Sequence, residues 1–338
     1  MTSKAVRKIA VPCILGLLFC AASVSAQDSR AFYISFQVPG SLQTSPVAIN
    51  NLSAVTGTYT DAKGTHGFVR EALGKITSFN VPRSTATTPT AINDDGMIVG
   101  NYSDSSNVTH GFLRHPDGTF TRIDVPGATS TSPSGINAFG VIAGTSSNLD
   151  SGCFVRSPKG AITLFGNSSC RARAINLFGA IVGISGPVTT PGGPPPEILV
   201  LSFVRSPAGV ITYFTPPGTS SNGAYAGFID AFGGIAGFFQ NSRDDSQNFL
   251  ESPQGVFTTI IPPGTSETSA IITGLSELGA VTGNYTATTG EHGFVQDVRG
   301  VLTSFDFPGG TGTYPTGINN FGVITGYSGA FGILRVPY

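Results

Sequence analysis

Residues 135–144 read GINAFGVIAG, and related stretches recur along the whole chain at similar intervals. Two of the copies replace the residue equivalent to Asn137, with Asp230 and Ser276. Self-similarity at a nearly constant period indicates one supersecondary unit repeated along the chain. Seven copies can be aligned, and they end at Gly57, Gly100, Gly144, Gly183, Gly237, Gly283 and Gly326.

Two further elements follow each of the first six copies, and the last copy is followed by the first of them alone. The first reads GFVR at residues 67–70, and the second reads ITSFNVP at residues 76–82, after a turn containing Gly74. These are short runs of β-branched and aromatic residues bounded by Gly, Pro, Asn and Ser, which is typical of strands. No apolar pattern of helical period is sustained after the N-terminal segment. Each unit therefore predicts four short strands, named a to d, with tight turns between a and b.

The two ends of the chain predict a closed ring. Residues 33–39 read YISFQVP, which is a strand d with no strands a to c before it. Residues 332–335 form a strand c with no strand d after it. Four strands per unit of about 45 residues is typical of β-propeller blades. We therefore predict an all-β fold: a seven-bladed β-propeller of four-stranded antiparallel blades, forming one domain over residues 27–338. The N-terminal strand closes the ring, which removes open edges.

Residues 1–26 have the pattern of a secretory signal peptide. Lys4, Arg7 and Lys8 precede an apolar run at residues 11–22, and small residues precede a cut after Ala26. An uncleaved anchor is the alternative. No later segment approaches the ~18 apolar residues of a membrane span. We predict a secreted protein, extracellular or periplasmic, without a transmembrane segment.

Cys153 and Cys170 remain after removal of the signal peptide, and an even count in an exported chain favours a disulfide. Cys153 stands where other copies have Gly67 or Gly111, at the start of strand c. Cys170 stands where other copies have a Thr before strand a. The hairpin of strands c and d brings the two positions together, which predicts a bridge. Two separate buried thiols are the alternative.

The composition argues against some partners. Hydrophobic residues make up 40% of the chain and charged residues 11%, against roughly 25% charged in an average domain. The formal net charge is -1, so no long-range field attracts nucleic acid or an anionic membrane. The sequence predicts a folded domain that does not bind nucleic acid.

The segments HGFVR at residues 66–70 and HGFLR at residues 110–114, each followed by Ile-Asn-x-x-Gly-x-Ile-x-Gly, resemble extracellular bacterial repeats of the His-Ala-Phe (HAF) type. The resemblance covers the chain after the signal peptide. Gly replaces the Ala of the family name, and the His is present in three of the seven copies. The resemblance implies a secreted, propeller-like protein with no assigned activity and no catalytic residues to carry over.

Few residues are candidates for catalysis or metal binding. His66, His110 and His292 occupy one repeat position in three units, so they lie on a ring rather than in a cluster. We predict no metal site, no cofactor and no catalytic residue. No nucleophile elbow and no Walker loop is present in the sequence.

The leading interpretation is a non-catalytic binding or scaffold protein, monomeric, with an unknown carbohydrate or protein ligand. The b–c and d–a loops emerge on one face, and we predict that this face binds the ligand. A Pro-rich b–c loop at residues 185–197 lies at its rim, unless it is only a tolerated insertion. The alternative function is a secreted polysaccharide hydrolase or lyase with its site on that face, so enzymatic activity stays open. Candidate ligand-face residues are aromatics that follow strand b, which could instead pack between blades, and one carboxylate of the loop: Tyr59, Tyr102, Phe239, Tyr285 and Glu197.

Overall fold

Seven four-stranded antiparallel sheets make up the protein in the computed structural model, which describes residues 31–147, 150–186, 200–263, 265 and 270–338. The predicted signal peptide and Glu197 of the Pro-rich loop lie outside the described residues. The sheets are arranged as the blades of a β-propeller, so the predicted fold class is confirmed. Within the described ranges, no helix is long and apolar enough to cross a membrane.

The N-terminal strand comes first, and each of blades 1 to 4 then contributes strands a, b, c and d in chain order. These strands are β1 (Ala31–Phe36); β2 (Gln43–Ile49), β3 (Val55–Asp61), β4 (Gly64–Arg70) and β5 (Ile76–Phe79); β6 (Ala86–Ile92), β7 (Ile98–Ser103), β8 (Thr109–Arg114) and β9 (Phe120–Ile123); β10 (Ser130–Ile136), β11 (Ile142–Ser147), β12 (Cys153–Arg156) and β13 (Ile162–Phe165); β14 (Arg171–Ile175), β15 (Ile181–Ser185), β16 (Leu201–Arg205) and β17 (Ile211–Phe214).

Blades 5 and 6 repeat this pattern, and blade 7 has three strands of its own. The strands are β18 (Thr219–Ile229), β19 (Ile235–Asn241), β20 (Ser246–Glu251) and β21 (Phe257–Thr258); β22 (Ala270–Leu275), β23 (Val281–Ala287), β24 (Gly290–Gln296) and β25 (Leu302–Phe305); β26 (Tyr314–Ile318), β27 (Ile324–Ser328) and β28 (Phe331–Pro337).

The ring closes as the sequence predicts. Strand β1 pairs antiparallel with β28 and becomes the fourth strand of blade 7. Tyr33 lies opposite Arg335 and Phe36 lies opposite Gly332. The strand spans Ala31–Phe36, so it begins before the predicted segment 33–39 and ends before its last three residues. The first and last strands of the described residues are therefore held in one sheet.

The repeated Gly of strand b and the Phe of strand c, which is Ile333 in blade 7, form the framework of the blades. In blade 1, a β-carbon at Gly57 would collide with the Ser45 carbonyl oxygen and lie 3.0 Å from the Phe68 ring. Only glycine fits between the inner strand and this ring. Phe68 has no exposed surface and packs in the core between blades 7 and 1. The inner strand carries a β-bulge between Pro46 and Ala48, and each other blade has a bulge at the same position.

A Thr near the start of strand a joins neighbouring blades. The Val38 N–H, after the closing strand, donates a hydrogen bond of 3.0 Å to Thr44 Oγ1 of blade 1. Cys170 takes the Thr position in blade 4 and forms a disulfide with Cys153 of blade 3, with 5.4 Å between the Cα atoms. The predicted disulfide is confirmed, and it links two blades where other copies use a hydrogen bond.

Candidate functional site

The turns between strands a and b meet around one end of the central channel, which we call the a–b mouth. The Asn50 side-chain amide donates a hydrogen bond of 2.9 Å to the Asn93 carbonyl of the next blade. Its own Oδ1 accepts the Ala54 N–H at 2.8 Å. One Asn thus fixes its own turn and binds the neighbouring blade. Equivalent side-chain bonds to the next blade come from Asn93, Asn137, Asn176 and Asn319.

The Asn side-chain bonds between neighbouring blades form a ring, which we call the amide ring. It is interrupted at blades 5 and 6. Asp230 and Ser276 occupy the Asn position there. Asp230 keeps the bond to its own turn by accepting the Gly234 N–H at 2.7 Å, and Ser276 accepts the Ala280 N–H at 3.0 Å. An ionised carboxylate has no hydrogen to donate, and a serine hydroxyl is too short to replace the amide. Blades 5 and 6 therefore keep the turn without the side-chain amide link.

A cavity of about 420 Å³ opens at the a–b mouth. Its walls include Asn51, Asp94, Leu177 and Glu277, from four different blades. The Leu177 N–H donates to Glu277 Oε2 at 3.4 Å across the ring. Burial raises the pKa of Glu277 to about 7, the Leu177 bond opposes that shift, and the negative charges of Asp230 and Asp94 add to it. Glu277 therefore exchanges its proton near neutral pH.

The last residue of strand c also differs in blade 5. Arg70 lies over the Phe36 ring of the preceding blade at 5.1 Å, which is a cation–π contact. Glu251 stands at this position in blade 5, and Gln296 stands there in blade 6. Burial raises the pKa of Glu251. The same cation–π contact is made by Arg114, Arg205 and Arg335.

The opposite end of the channel, which we call the d–a mouth, differs between blades in one cross-strand pair. The pair consists of one residue of strand a and the residue opposite it on strand b. The strand a residue lies two positions before the bulged residue. In blades 5 and 7 it is aromatic: Tyr225 stacks on Phe238 with ring centroids 4.6 Å apart, and Tyr314 stacks on Tyr327 at 5.1 Å. In the other blades the pairs are Ser45–Thr58, Thr88–Asn101, Ser132–Thr145, Arg171–Ile184 and Ile271–Asn284.

Both aromatic pairs contribute to cavities. One cavity of about 550 Å³ is lined by Tyr314 and Tyr327 of blade 7, with Phe228, Thr273 and Asn284 from blades 5 and 6 and residues 43 and 45–47 of blade 1. A second, of about 430 Å³, is lined by Val200, Asn222, Tyr225 and Gln240. Within the described part of the chain, the walls of these two cavities include no carboxylate and no imidazole. The d–a mouth thus combines aromatic rings with uncharged polar groups.

The predicted aromatic ligand-face residues lie one position further along strand b than this pair. Tyr102, Phe239 and Tyr285 are 8%, 6% and 6% exposed, and they belong to cores between blades. Tyr59 is half-buried and lies 4.9 Å from the His66 ring. Successive side chains of a strand point to opposite faces of the sheet. These rings therefore lie on the opposite face of the sheet from Phe238, Asn284 and Tyr327. Their burial favours the alternative that they pack between blades.

The repeated histidines connect parts of their own blades. In blade 2, His110 Nδ1 lies 2.9 Å from Asp124 Oδ1 in the segment after strand d. His110 Nε2 lies 3.2 Å from Asp104 Oδ2 in the b–c loop, and the ring lies 5.2 Å from Tyr102. His66 and His292 bridge the same two segments in blades 1 and 6. Over the described ranges, no group of three His, Cys, Asp or Glu residues is placed to hold a metal ion.

The fold and the two channel mouths define a seven-bladed β-propeller. A streptogramin B lyase is similar in structure, with a TM-score of 0.60 at 14% identity, covering 91% of this chain and 98% of that one. A catalytically inactive virginiamycin B lyase from Staphylococcus aureus with quinupristin gives 0.59 at 13% identity, covering 91% and 100%.

The β-propeller domain of the Trilobed protease from Pyrococcus furiosus is also similar, with a TM-score of 0.59 at 9% identity, covering 86% of this chain and 90% of that one. That domain is described as having an open velcro topology, whereas β1 and β28 close the ring here. No family model and no curated protein matches the chain in sequence. At these identities the similarities show the fold alone.

Proposed function

We propose that the protein is a non-catalytic binding propeller that takes a carbohydrate ligand at the d–a mouth. The stacked pairs of blades 5 and 7 carry this proposal. They place flat aromatic rings on both sides of blade 6, and Phe238 is 40% exposed. Aromatic rings with nearby hydrogen-bonding groups suit a sugar, which has apolar faces and hydroxyl edges.

The polar groups of the cavity support the same ligand class. The Thr273 hydroxyl lines the 550 Å³ cavity, is shielded from solvent, and has no hydrogen-bond partner among the described residues. A buried hydroxyl without a partner is unfavourable, and a ligand hydroxyl would satisfy it. The uncharged polar residues beside it, such as Asn284, fit a neutral polyhydroxyl ligand.

Binding is favoured over hydrolysis or elimination of a polysaccharide at this face. A glycosidase needs a pair of carboxyl groups flanking the bond that it breaks. The described walls of the two d–a cavities contain none, and the raised pKa values of Glu277 and Glu251 belong to groups near the other mouth. The hydrolase alternative therefore lacks its pair of carboxyl groups there, and the described walls offer no carboxylate or imidazole as the base of an elimination.

The repeat type, the location outside the cytoplasm and the monomeric state are also proposals. The HAF-type segments and the signal-like N-terminus support a secreted protein of the HAF repeat type, acting as a monomer outside the cytoplasm. The disulfide is consistent with an oxidising compartment.

A glycan array followed by calorimetry with the best oligosaccharide tests the proposal. The variant Tyr314→Ser/Tyr327→Thr converts the pair of blade 7 into the pair that blade 1 has. We expect binding to fall at least about tenfold, because stacking and the shape of the cavity are lost together. The control, Ser132→Ala in the pair of blade 3, leaves binding unchanged. Equal binding by the aromatic variant, or no glycan bound at all, contradicts the proposal.

A further inference from the structure

A cavity of about 250 Å³ lies between blades 5 and 6, and its walls are mainly apolar. Ile235, Leu250 and Leu275 contribute side chains to these walls. Two carboxyl groups, Asp230 and Glu251, open into the same space. Within the described residues, no Lys or Arg lines this cavity.

Asp230 is buried, and one half of its carboxylate is unused. Oδ1 accepts the N–H groups of Phe232 at 2.9 Å and Gly234 at 2.7 Å, both in its own turn. Oδ2 faces Gly279 of blade 6, where a β-carbon would lie 3.5 Å away. The hydrogen bonds from Phe232 and Gly234 both end on Oδ1 and neither reaches Oδ2. An acceptor that is buried and unsatisfied is costly, and a charged one more so.

Glu251 also has a carboxyl oxygen without a hydrogen bond. Its Oε2 is shielded from solvent and has no hydrogen-bond partner among the described residues. Burial raises the pKa of Glu251, and burial is also the leading cause of the raised pKa of Asp230. Two acceptors in one apolar cavity therefore lack the donors or positive charge that would stabilise them.

The other blades show that the framework does not require these carboxyl groups. Five blades have Asn at the position of Asp230, and five have Arg at the position of Glu251. At these two positions a carboxyl group is present only in blade 5, and there it replaces the inter-blade amide and the cation–π contact. Blade 6 also lacks both framework contacts, but only in blade 5 are both replacements carboxyl groups, and these two carboxyl groups line one cavity.

We propose that this cavity is a second binding site, separate from the d–a mouth, and that it takes an organic cation with an ammonium or amidinium group on a short apolar body. The N–H groups of the cation bond Asp230 Oδ2 and the carboxyl group of Glu251. Charge-assisted bonds of this kind are the strong ones, and an amidinium can bond two oxygens at once. The apolar walls take the body of the ligand.

Benzamidine is the probe, and its uncharged analogue benzamide is the matched control. Calorimetry at pH 7.5 compares the full chain with Asp230→Asn and Glu251→Gln, which introduce residues that other blades carry at the same positions. We expect benzamidine to bind the full chain and each substitution to weaken binding at least about tenfold, because a charged partner is lost. Benzamide does not bind. Thermal melts of both variants confirm that they fold.

The cationic group of the natural ligand could belong to a free amine or to an Arg side chain of a partner protein. Displacement of benzamidine by N-acetylarginine amide indicates the side chain, and failure of that displacement indicates a free cation. Three results overturn the proposal: benzamidine does not bind the full chain, it binds both variants as tightly, or benzamide binds equally well.

Discussion

Blades 1 to 3 and blades 5 to 7 have the same framework but differ at the channel. Blades 1 to 3 keep the Asn of the amide ring, and their channel pairs are small and polar, as in Ser45–Thr58. Blades 5 to 7 carry the aromatic pairs, Asp230, Glu251 and Glu277. Residues common to the copies thus describe the framework, and departures from the repeat mark the positions free to contact a ligand. Seven copies in one chain serve here as an internal alignment.

The largest effect should come from removing the closing strand, on which both halves depend. Deleting residues 31–39 removes β1 from blade 7 and exposes the edge of β28. We expect the variant to unfold at a much lower temperature than the full chain or to aggregate, since an open edge pairs with other chains. Calorimetry and light scattering check this. A melting temperature equal to that of the full chain would show that closure is unimportant.

The disulfide lies near the border between the two halves. Cys153→Ala/Cys170→Ala removes a link between positions 17 residues apart, which should lower the free energy of unfolding by about 3 kcal/mol. Denaturant unfolding measures this loss. The control is dithiothreitol, which should destabilise the native chain and leave the double variant unaffected. A variant as stable as the oxidised chain would contradict the expected contribution.

The amide ring allows a direct comparison of the halves. Asn93→Ala removes the bond to the Asn137 carbonyl and the bond from the Met97 N–H, so we expect a loss of about 2 kcal/mol. Ser276→Ala removes one bond, from the Ala280 N–H, and should cost about 1 kcal/mol. Denaturant midpoints of the two variants measure the difference. Equal losses would mean that the amide link between blades adds nothing.

The smallest expected effect is on the pH dependence of stability. The raised pKa of Glu277 means that the folded state binds more protons than the unfolded state between the ordinary value of 4.5 and about 7. Stability contributed at this site is therefore lost as the pH rises through that window. Glu277→Gln should raise the melting temperature by a few degrees at pH 8 and leave it unchanged at pH 4. Asp230 and Asp94, which face Glu277, are retained in both proteins. A variant with an unchanged pH profile would contradict the burial of a charged Glu277.

The sequence predicted the framework well because the framework repeats. Blade number, strand order, ring closure and the disulfide all follow from residues that recur or are replaced at fixed positions. The reason for the repeated Asn was not predictable, since its amide bonds a carbonyl of the next blade, far away along the chain, as Asn50 does with Asn93.

The channel was harder to predict because it depends on strand register. The aromatic residues that recur visibly after strand b, such as Tyr102, point between the blades. The aromatic pairs at the channel occur in blades 5 and 7, so no repeat signals them. Each a–b turn is tight as predicted, yet the ring of turns surrounds a cavity of about 420 Å³. One compensation between neighbouring blades was also not predictable. Asn248 of blade 5 accepts the Ile260 N–H at 2.8 Å, in place of the usual Thr, which is Ala270 in blade 6.

Hydrogen exchange of the full chain with and without its best-binding oligosaccharide compares the two halves in one experiment. Backbone amides of β18, β22 and β26, the inner strands of blades 5 to 7, should gain protection when the oligosaccharide is bound. The inner strands β6 and β10 of blades 2 and 3 should be unchanged, whereas β2 of blade 1 lines the cavity and can gain protection as well. Protection confined to blades 1 to 3, or spread evenly around the ring, would contradict the assignment of binding to the aromatic half.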